Sequence, residues 1–480
     1  MEPHQHSPLD IQPQIAPPAQ PQGLIARTLY EWKTLAFLGA PILIAQLAQM
    51  ANGVIDTVMA GHASARDLAA VGIGAGVWGP VLLFFIGTLS SLQPIISGQR
   101  GANNHSQIMP TTWQGIYIAV VGSVLMIALL TQLFPLFILL KLDLQTAEIA
   151  QGYLNAFAWG VPALLLLTAL RGLTDGLGHT RVIMVFSLLS TALNLPLNYI
   201  FIFGYEFGDL LSIQAMGGIG CGWATALSNW GALLALLAYL HRNKAYARLH
   251  LIGDWAKPDS YIIKQVLGLG LPIGLAMFVE VSMFCMIALF LSPLGPNVIA
   301  GHQVVLNATS LLFMAPLSLG MALTLRVSYL VGAQDFIAAR LLARSSLLLA
   351  LGLACISAPI LFFGRELIAS FYTTDPAVLA IAIQLFMLCA IFQVVDVIQV
   401  TMINVLRGYQ DTKIPMLIML LSFWGVCLPL GFVLTFSSWI TAPMGAAGFW
   451  TALIVGLSCA AILLTTRMFR FKMLIIHQPA

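Results

Sequence analysis

Long apolar stretches recur along almost the whole chain, each about the length that carries a helix across a bilayer. They fall near 34–60, 69–97, 113–140, 150–170, 182–203, 215–240, 262–291, 298–325, 341–363, 377–405, 414–436 and 443–466. Hydrophobicity is continuous inside each stretch, which predicts helices; strands of a membrane barrel would alternate over about ten residues instead. Residues 1–22 break the pattern: Pro3, Pro8, Pro13, Pro17, Pro18 and Pro21 stand among glutamines, and no core can form there. This segment reads as a disordered tail, and with no short apolar run after a basic start, no cleaved signal peptide is expected. The expected fold is an all-α polytopic membrane protein with twelve transmembrane helices.

Composition removes the rival classes. The 480 residues are 59% hydrophobic and 8% charged, against about 25% charged in ordinary soluble domains. A mean hydropathy of +0.91 cannot be hidden in one soluble core. Soluble enzymes, disordered scaffolds and secreted disulfide modules are therefore excluded, and the bilayer is the solvent. Cys221, Cys285, Cys355, Cys389, Cys427 and Cys459 are scattered in or beside apolar segments with no CxxC pair, so they read as small core residues.

The net charge of +3 is too even to imply nucleic acid, but the placement of the basic residues is informative. If the twelve spans alternate, 18 of the 21 Lys and Arg fall on one side, and Arg66, Lys141 and Arg365 on the other. The positive-inside rule then puts both termini in the cytoplasm.

The two halves repeat each other at a spacing of 231 residues. Gly39 and Pro41 fall on Gly270 and Pro272; Ser97, Gly101 and Ala102 fall on Ser328, Gly332 and Ala333. Near that offset, Leu195-Pro196-Leu197 matches Leu428-Pro429-Leu430, and Gly222, Thr225, Ala226 and Leu227 match Gly448, Thr451, Ala452 and Leu453. Six spans per half is an even number, so the halves share one orientation and a pseudo-two-fold axis runs along the membrane normal. The expected organisation is a tail at 1–33, a six-helix lobe at 34–240, a cytoplasmic linker at 241–261, a second six-helix lobe at 262–466 and a tail at 467–480.

Three acids lie inside these spans: Asp56, Glu280 and Asp396. A charge at the bilayer centre costs about 2.5–3.5 kcal/mol on insertion scales, and such residues mark ion or proton pathways. With no Lys or Arg in the middle of any span, a buried ion pair does not account for them. At 100° per residue, Gln49 and Asn52 share a face with Asp56, and Gln393 and Asn404 share one with Asp396, with Arg407 continuing the stripe. Polar helix-to-helix glue explains the amides but not the acids. Met277, Met283 and Phe284 cluster around Glu280 as candidate cavity side chains, since a ring beside a carboxylate suits a lipophilic cation. Core packing is the competing role for a Met or Phe at helical spacing. A carboxyl group in low dielectric exchanges protons nearer neutral pH than one in water. HExxH, GxSxG, Walker A and DDxxD motifs are absent, so no enzyme is read, and His302 near the eighth span reads as structural.

Several stretches together resemble the multidrug and toxic compound extrusion family, NorM-type branch. They are PILIAQLAQMANGVIDTVMAG (41–61), LNLPLNYIFIFG (193–204), GGIGCGWATALSNW (217–230), LPIGLAMFVEV (271–281), SPLGPNVIAGHQVVLN (292–307) and LRGYQDT (406–412). The resemblance runs from about residue 34 to 466. It implies two six-helix lobes forming a V around a central cavity. It also implies alternating access, and export of organic cations and dyes driven by inward protons or sodium. The family's membrane acids fall on Asp56, Glu280 and Asp396. The setting implied is the bacterial inner membrane, with the chain working as a monomer and without a cofactor.

The apolar neighbours of Glu280 and Asp396 favour protons, because sodium wants several oxygen ligands. Sodium coupling stays open. A lipid-linked precursor flippase would want basic residues in the cavity, and a membrane-embedded enzyme would want a polar cluster at one face.

Overall fold

The computed structural model describes residues 23–139, 142–207, 211–243, 246, 255–439 and 441–470. The proline-rich tail, Lys141, Lys244, Arg248, Lys472 and about half of the expected linker lie outside that set. The first half runs through α1 (Leu24–Ala63), α2 (Ala65–Ser90), α3 (Leu92–Gly101), α4 (Ile108–Leu130), α5 (Phe134–Leu139), α6 (Leu144–Ala158), α7 (Val161–Gly176) and α8 (Thr180–Phe203). A hairpin of β1 (Tyr205–Phe207) and β2 (Leu211–Ile213) leads to α9 (Gly218–Arg242). The second half contains α10 (Ser260–Leu291), α11 (Pro296–Gly332), α12 (Phe336–Tyr372), α13 (Pro376–Gly408) and α14 (Lys413–Leu420). A π-helical segment (Leu421–Cys427), α15 (Leu428–Phe436) and α16 (Ala446–Arg470) complete it.

Eleven of these helical runs are long and apolar enough to cross a membrane, and a twelfth span forms if α6 and α7, bent by 45° at a short break, are counted together. The all-α membrane architecture is thus as read from hydropathy, with one addition. The β hairpin pairs Tyr205 with Ile213 and Glu206 with Ser212 in the loop before α9.

Several acids outside the spans start helices. Asp143, Asp259, Asp335 and Asp375 each accept backbone N–H groups from the first turn of α6, α10, α12 and α13. Such caps satisfy donors that have no partner within the helix. These acids are accounted for by folding and drop out of the search for chemistry.

Two large apolar cores form, one mainly for each half, beside a small cluster of Ala350, Ala354 and Val397, and the large ones share one exchange. Leu35, Leu38 and Ile42 of α1 belong to the core of the second half, and Ile262 and Val266 of α10 belong to the core of the first. Accordingly α1 packs on α8 and also on α11, while α10 packs on α14 and also on α2. At the 231-residue spacing these are matching sets of helices. The N-terminal end of the first helix of each half therefore packs in the other half's core while the remainder stays with its own, an exchange the 34–240 and 262–466 boundaries do not describe.

The repeat is visible down to single bonds. At the ends of α3 and α11, Asn104 N–H donates to the Gln99 carbonyl and Asp335 N–H to the Leu330 carbonyl, both at 2.9 Å. Between them Asn103 and Gln334 take left-handed backbone at φ 54° and 61°. Both helices close with the same turn at matching positions.

Candidate functional site

Asp56 on α1 is 8% exposed and sits within a ring of polar side chains from α8 and α9. Asn198 Nδ2 donates to its Oδ1 at 2.6 Å, and Asn194 Nδ2 reaches the same oxygen at 3.4 Å. Thr225 Oγ1 donates to Oδ2 at 2.9 Å. Asn194 and Asn198 are also bonded to each other at 2.9 Å, one helical turn apart on either side of Pro196. A buried carboxylate is tolerable when its lone pairs are occupied in this way. The set is rich in oxygen: the two of Asp56, the amide oxygens of Asn194 and Asn198, and the Thr225 hydroxyl. Asn198 Oδ1 is buried and accepts no hydrogen bond.

Asp56 and Thr225 of this ring line a cavity of about 340 Å³, walled mainly by the first half. Gln49 and Asn52 line it beside Asp56, so that face of α1 looks into protein space, as its polar stripe predicts. An aromatic wall faces them: Trp78 stacks on Phe157 with centroids 4.3 Å apart, and Trp78 Nε1 points to the Tyr153 hydroxyl at 3.4 Å. Arg171 and Gln93 also line the cavity. Both hold Asp175, which is fully buried, each through Oδ2 at 3.1 Å. Arg171 also donates to Gln46 Oε1 of α1 at 3.0 Å.

Asp175 was missed because α7 runs six residues past the apolar stretch ending near 170, and Arg171 was assigned to the cytoplasmic surface. Arg171 lines this cavity from near the end of α7, and Arg407 lies in the last turn of α13, so neither stands in the middle of a span. Asn194, Asn198 and Thr225 were also missed as a site, although two amides one turn apart inside an apolar span were a readable signal.

The other two acids lie in the second half and do not meet Asp56. Glu280 on α10 is half-buried, and Asp396 on α13 is 3% exposed. Arg407 forms no ion pair with either; it reaches the Asn404 amide oxygen at 3.5 Å. Asn404 is further held by Thr324 of α11 at 3.2 Å. Gln393 is fully buried with neither amide atom partnered, and Asp396 Oδ2 is likewise unpartnered. The stripe Gln393, Asp396, Asn404 therefore faces protein, not lipid.

The three candidate cavity side chains around Glu280 do not line the cavity beside Asp56. Met283 is fully buried in the second core. Phe284 meets Phe392 edge to face at 6.5 Å. The Met277 sulfur lies against Gly87 of α2. His302 is fully buried, and its Nδ1 takes the indole N–H of Trp450 at 3.2 Å, which fits its structural reading.

The MatE family model matches residues 41–200 and 272–433, the two repeated halves. The chain belongs to the MatE family. It is similar to the probable multidrug resistance protein NorM of Shewanella oneidensis, 41% identical over 439 residues that cover 92% of this chain and 95% of that one. Multidrug resistance protein PmpM of Pseudomonas aeruginosa is 41% identical over 462 residues, 96% of each chain. The crystal structure of the eukaryotic MATE transporter AtDTX14 superimposes with a TM-score of 0.82 at 18% identity, covering 94% of this chain and 97% of that one. As a MatE protein the chain is a multi-pass membrane transporter and not an enzyme.

Proposed function

We propose that this MatE protein is a multidrug efflux antiporter that exports lipophilic organic cations by alternating access in exchange for inward protons. The observation that carries the reading is the Asp56 cavity. A buried carboxylate, an aromatic wall and a cavity of about 340 Å³ supply the three things a flat cationic ligand needs: countercharge, π faces and shape. The relatives named for multidrug resistance match nearly the whole chain. Glu280 and Asp396 sit among largely apolar side chains and are poor in oxygen ligands, which favours protons as their ligand.

A second reading is favoured by the oxygen set around Asp56. Two carboxylate oxygens, two amide oxygens and a hydroxyl form the kind of donor group that sodium takes. Under this reading the first half binds sodium and the second half binds protons. We propose the bacterial inner membrane as its location, with the positive-inside rule favouring both termini in the cytoplasm.

Efflux of a cationic dye from vesicles, with a pH gradient alone and a sodium gradient alone, tests both readings. Efflux under the pH gradient alone supports proton coupling. Efflux only under the sodium gradient moves sodium to first place, and none under either rejects antiport.

A further inference from the structure

The contact between α3 and α11 is nearly two-fold symmetric in its backbone, and its flanks are asymmetric in their chemistry. The symmetric part is a pair of reciprocal contacts between α3 and α11. A Cβ on Gly101 would run into the Tyr329 carbonyl, and one on Gly332 would run into the Gly98 carbonyl. Gly98 and Tyr329 are repeat mates, as are Gly101 and Gly332, so each contact is the image of the other. The pseudo-two-fold axis passes between these helix ends.

The flanks on either side of that axis differ in three ways. On the α1–α11 flank, Glu31 is 2% exposed and takes a bidentate pair of bonds from Arg326, at 2.7 and 2.8 Å. Their repeat mates on the α10–α3 flank are Ile262 and Ile95, both buried in one apolar core. The seams also differ in tightness. A Cβ on Gly270 of α10 would overlap the Thr88 carbonyl of α2, whereas one on its mate Gly39 of α1 would sit 3.8 Å from the Ser318 carbonyl, an ordinary contact. Finally, the α10 flank is tied down by the linker. Gln114 of α4 donates to the Lys257 carbonyl and accepts from Asp259 N–H, both at 3.1 Å, and Tyr117 donates to the Ala256 carbonyl at 2.7 Å. On the α1 flank a second ion pair, Arg27 with Asp335, again joins the two halves.

An apolar, backbone-tight seam gains nothing from separating into water. A seam closed by ion pairs can open, because water replaces the partners of each charge. We infer that the α1–α11 flank is the cytoplasmic doorway for substrate, latched by Glu31 and Arg326, and that the α10–α3 flank is the hinge on which it swings. The inference rests on the alternating-access reading and adds which side opens and what holds it shut.

Spin-label distances on the full chain in lipid nanodiscs test it. The labelling background lacks the accessible Cys285, Cys355 and Cys459. One label pair at Leu29 and Ile337 reports the doorway, and another at Ser106 and Tyr261 reports the hinge; all four positions are exposed except for the helix contacts around them. With a cationic dye present and no gradient, the doorway pair should gain a longer-distance population while the hinge pair keeps one distance. Glu31→Gln should raise the ratio of open to closed doorway about tenfold. The exchange Glu31→Arg with Arg326→Glu should restore the original ratio, which a merely structural role would not require. Separation of the hinge pair equal to that of the doorway pair, or an unchanged ratio in Glu31→Gln, overturns the assignment. One distance for both pairs under all conditions also overturns it. Dye efflux by the same wild-type preparation is scored separately, so doorway opening without efflux rejects the transport reading and leaves the doorway standing.

Discussion

Asn198 donates to Asp56 across 2.6 Å, and through that bond α8 fixes the one acid that faces the cavity of the first half. The bond orients the carboxylate and at the same time competes with anything that would use its oxygens. Function should therefore depend on the amide as well as on the acid.

Asn198→Ala removes a hydrogen bond to a charged group, worth about 1.5–3 kcal/mol. The expected result is a loss of about ten- to a hundredfold in dye affinity, read by fluorescence titration of purified protein, with insertion intact. Thr225→Val should show a smaller loss in the same direction. Full affinity in Asn198→Ala would show that the bond does not position the acid.

Glu280→Gln and Asp396→Asn each keep shape and remove charge. Both should abolish gradient-driven efflux while expression and membrane insertion remain normal. Full drug resistance in cells carrying either variant would exclude that residue from coupling.

Gly270→Ala should cost about 1–3 kcal/mol by forcing α10 away from the Thr88 carbonyl, whereas Gly39→Ala should be close to neutral. Thermal unfolding of the two detergent-solubilised variants gives the comparison. Equal midpoints would remove the difference in tightness between the two seams.

His179, in the turn between α7 and α8, is bonded through Nδ1 to the Tyr246 hydroxyl at 2.6 Å. Burial first, and the charge of Arg100 second, hold its imidazole below the ordinary value. The sign follows directly: the unfolded chain takes up this proton at higher pH than the folded protein, so stability is present above about pH 6.5 and falls as pH drops below it. His179→Gln should flatten the pH dependence of the unfolding midpoint on the acid side. An unaltered slope would mean that other groups set it.

The span positions and the three acids inside them were legible in the sequence because hydropathy and charge act through single residues. Contacts that need two distant segments were not. Asp56 stands out in its span, but its partners Asn198 and Thr225 come from α8 and α9, and no period in the chain joins them. Glu31 was placed in the tail because hydropathy marks the thickness of the hydrocarbon, whereas α1 begins at Leu24 and continues through it. Asp175 was overlooked for the same reason at the other end of a helix. Nor could the repeat show that α1 and α10 change partners, since a pattern that occurs twice fits either half equally well.

The exchange at the N-terminal ends of α1 and α10 has a consequence for how the two halves hold together. Each half lends Leu35, Leu38 and Ile42, or Ile262 and Val266, to the core of the other. Cutting the chain between the halves and separating them would therefore leave apolar surface uncovered in both cores, so the two lobes form one interlocked folding unit.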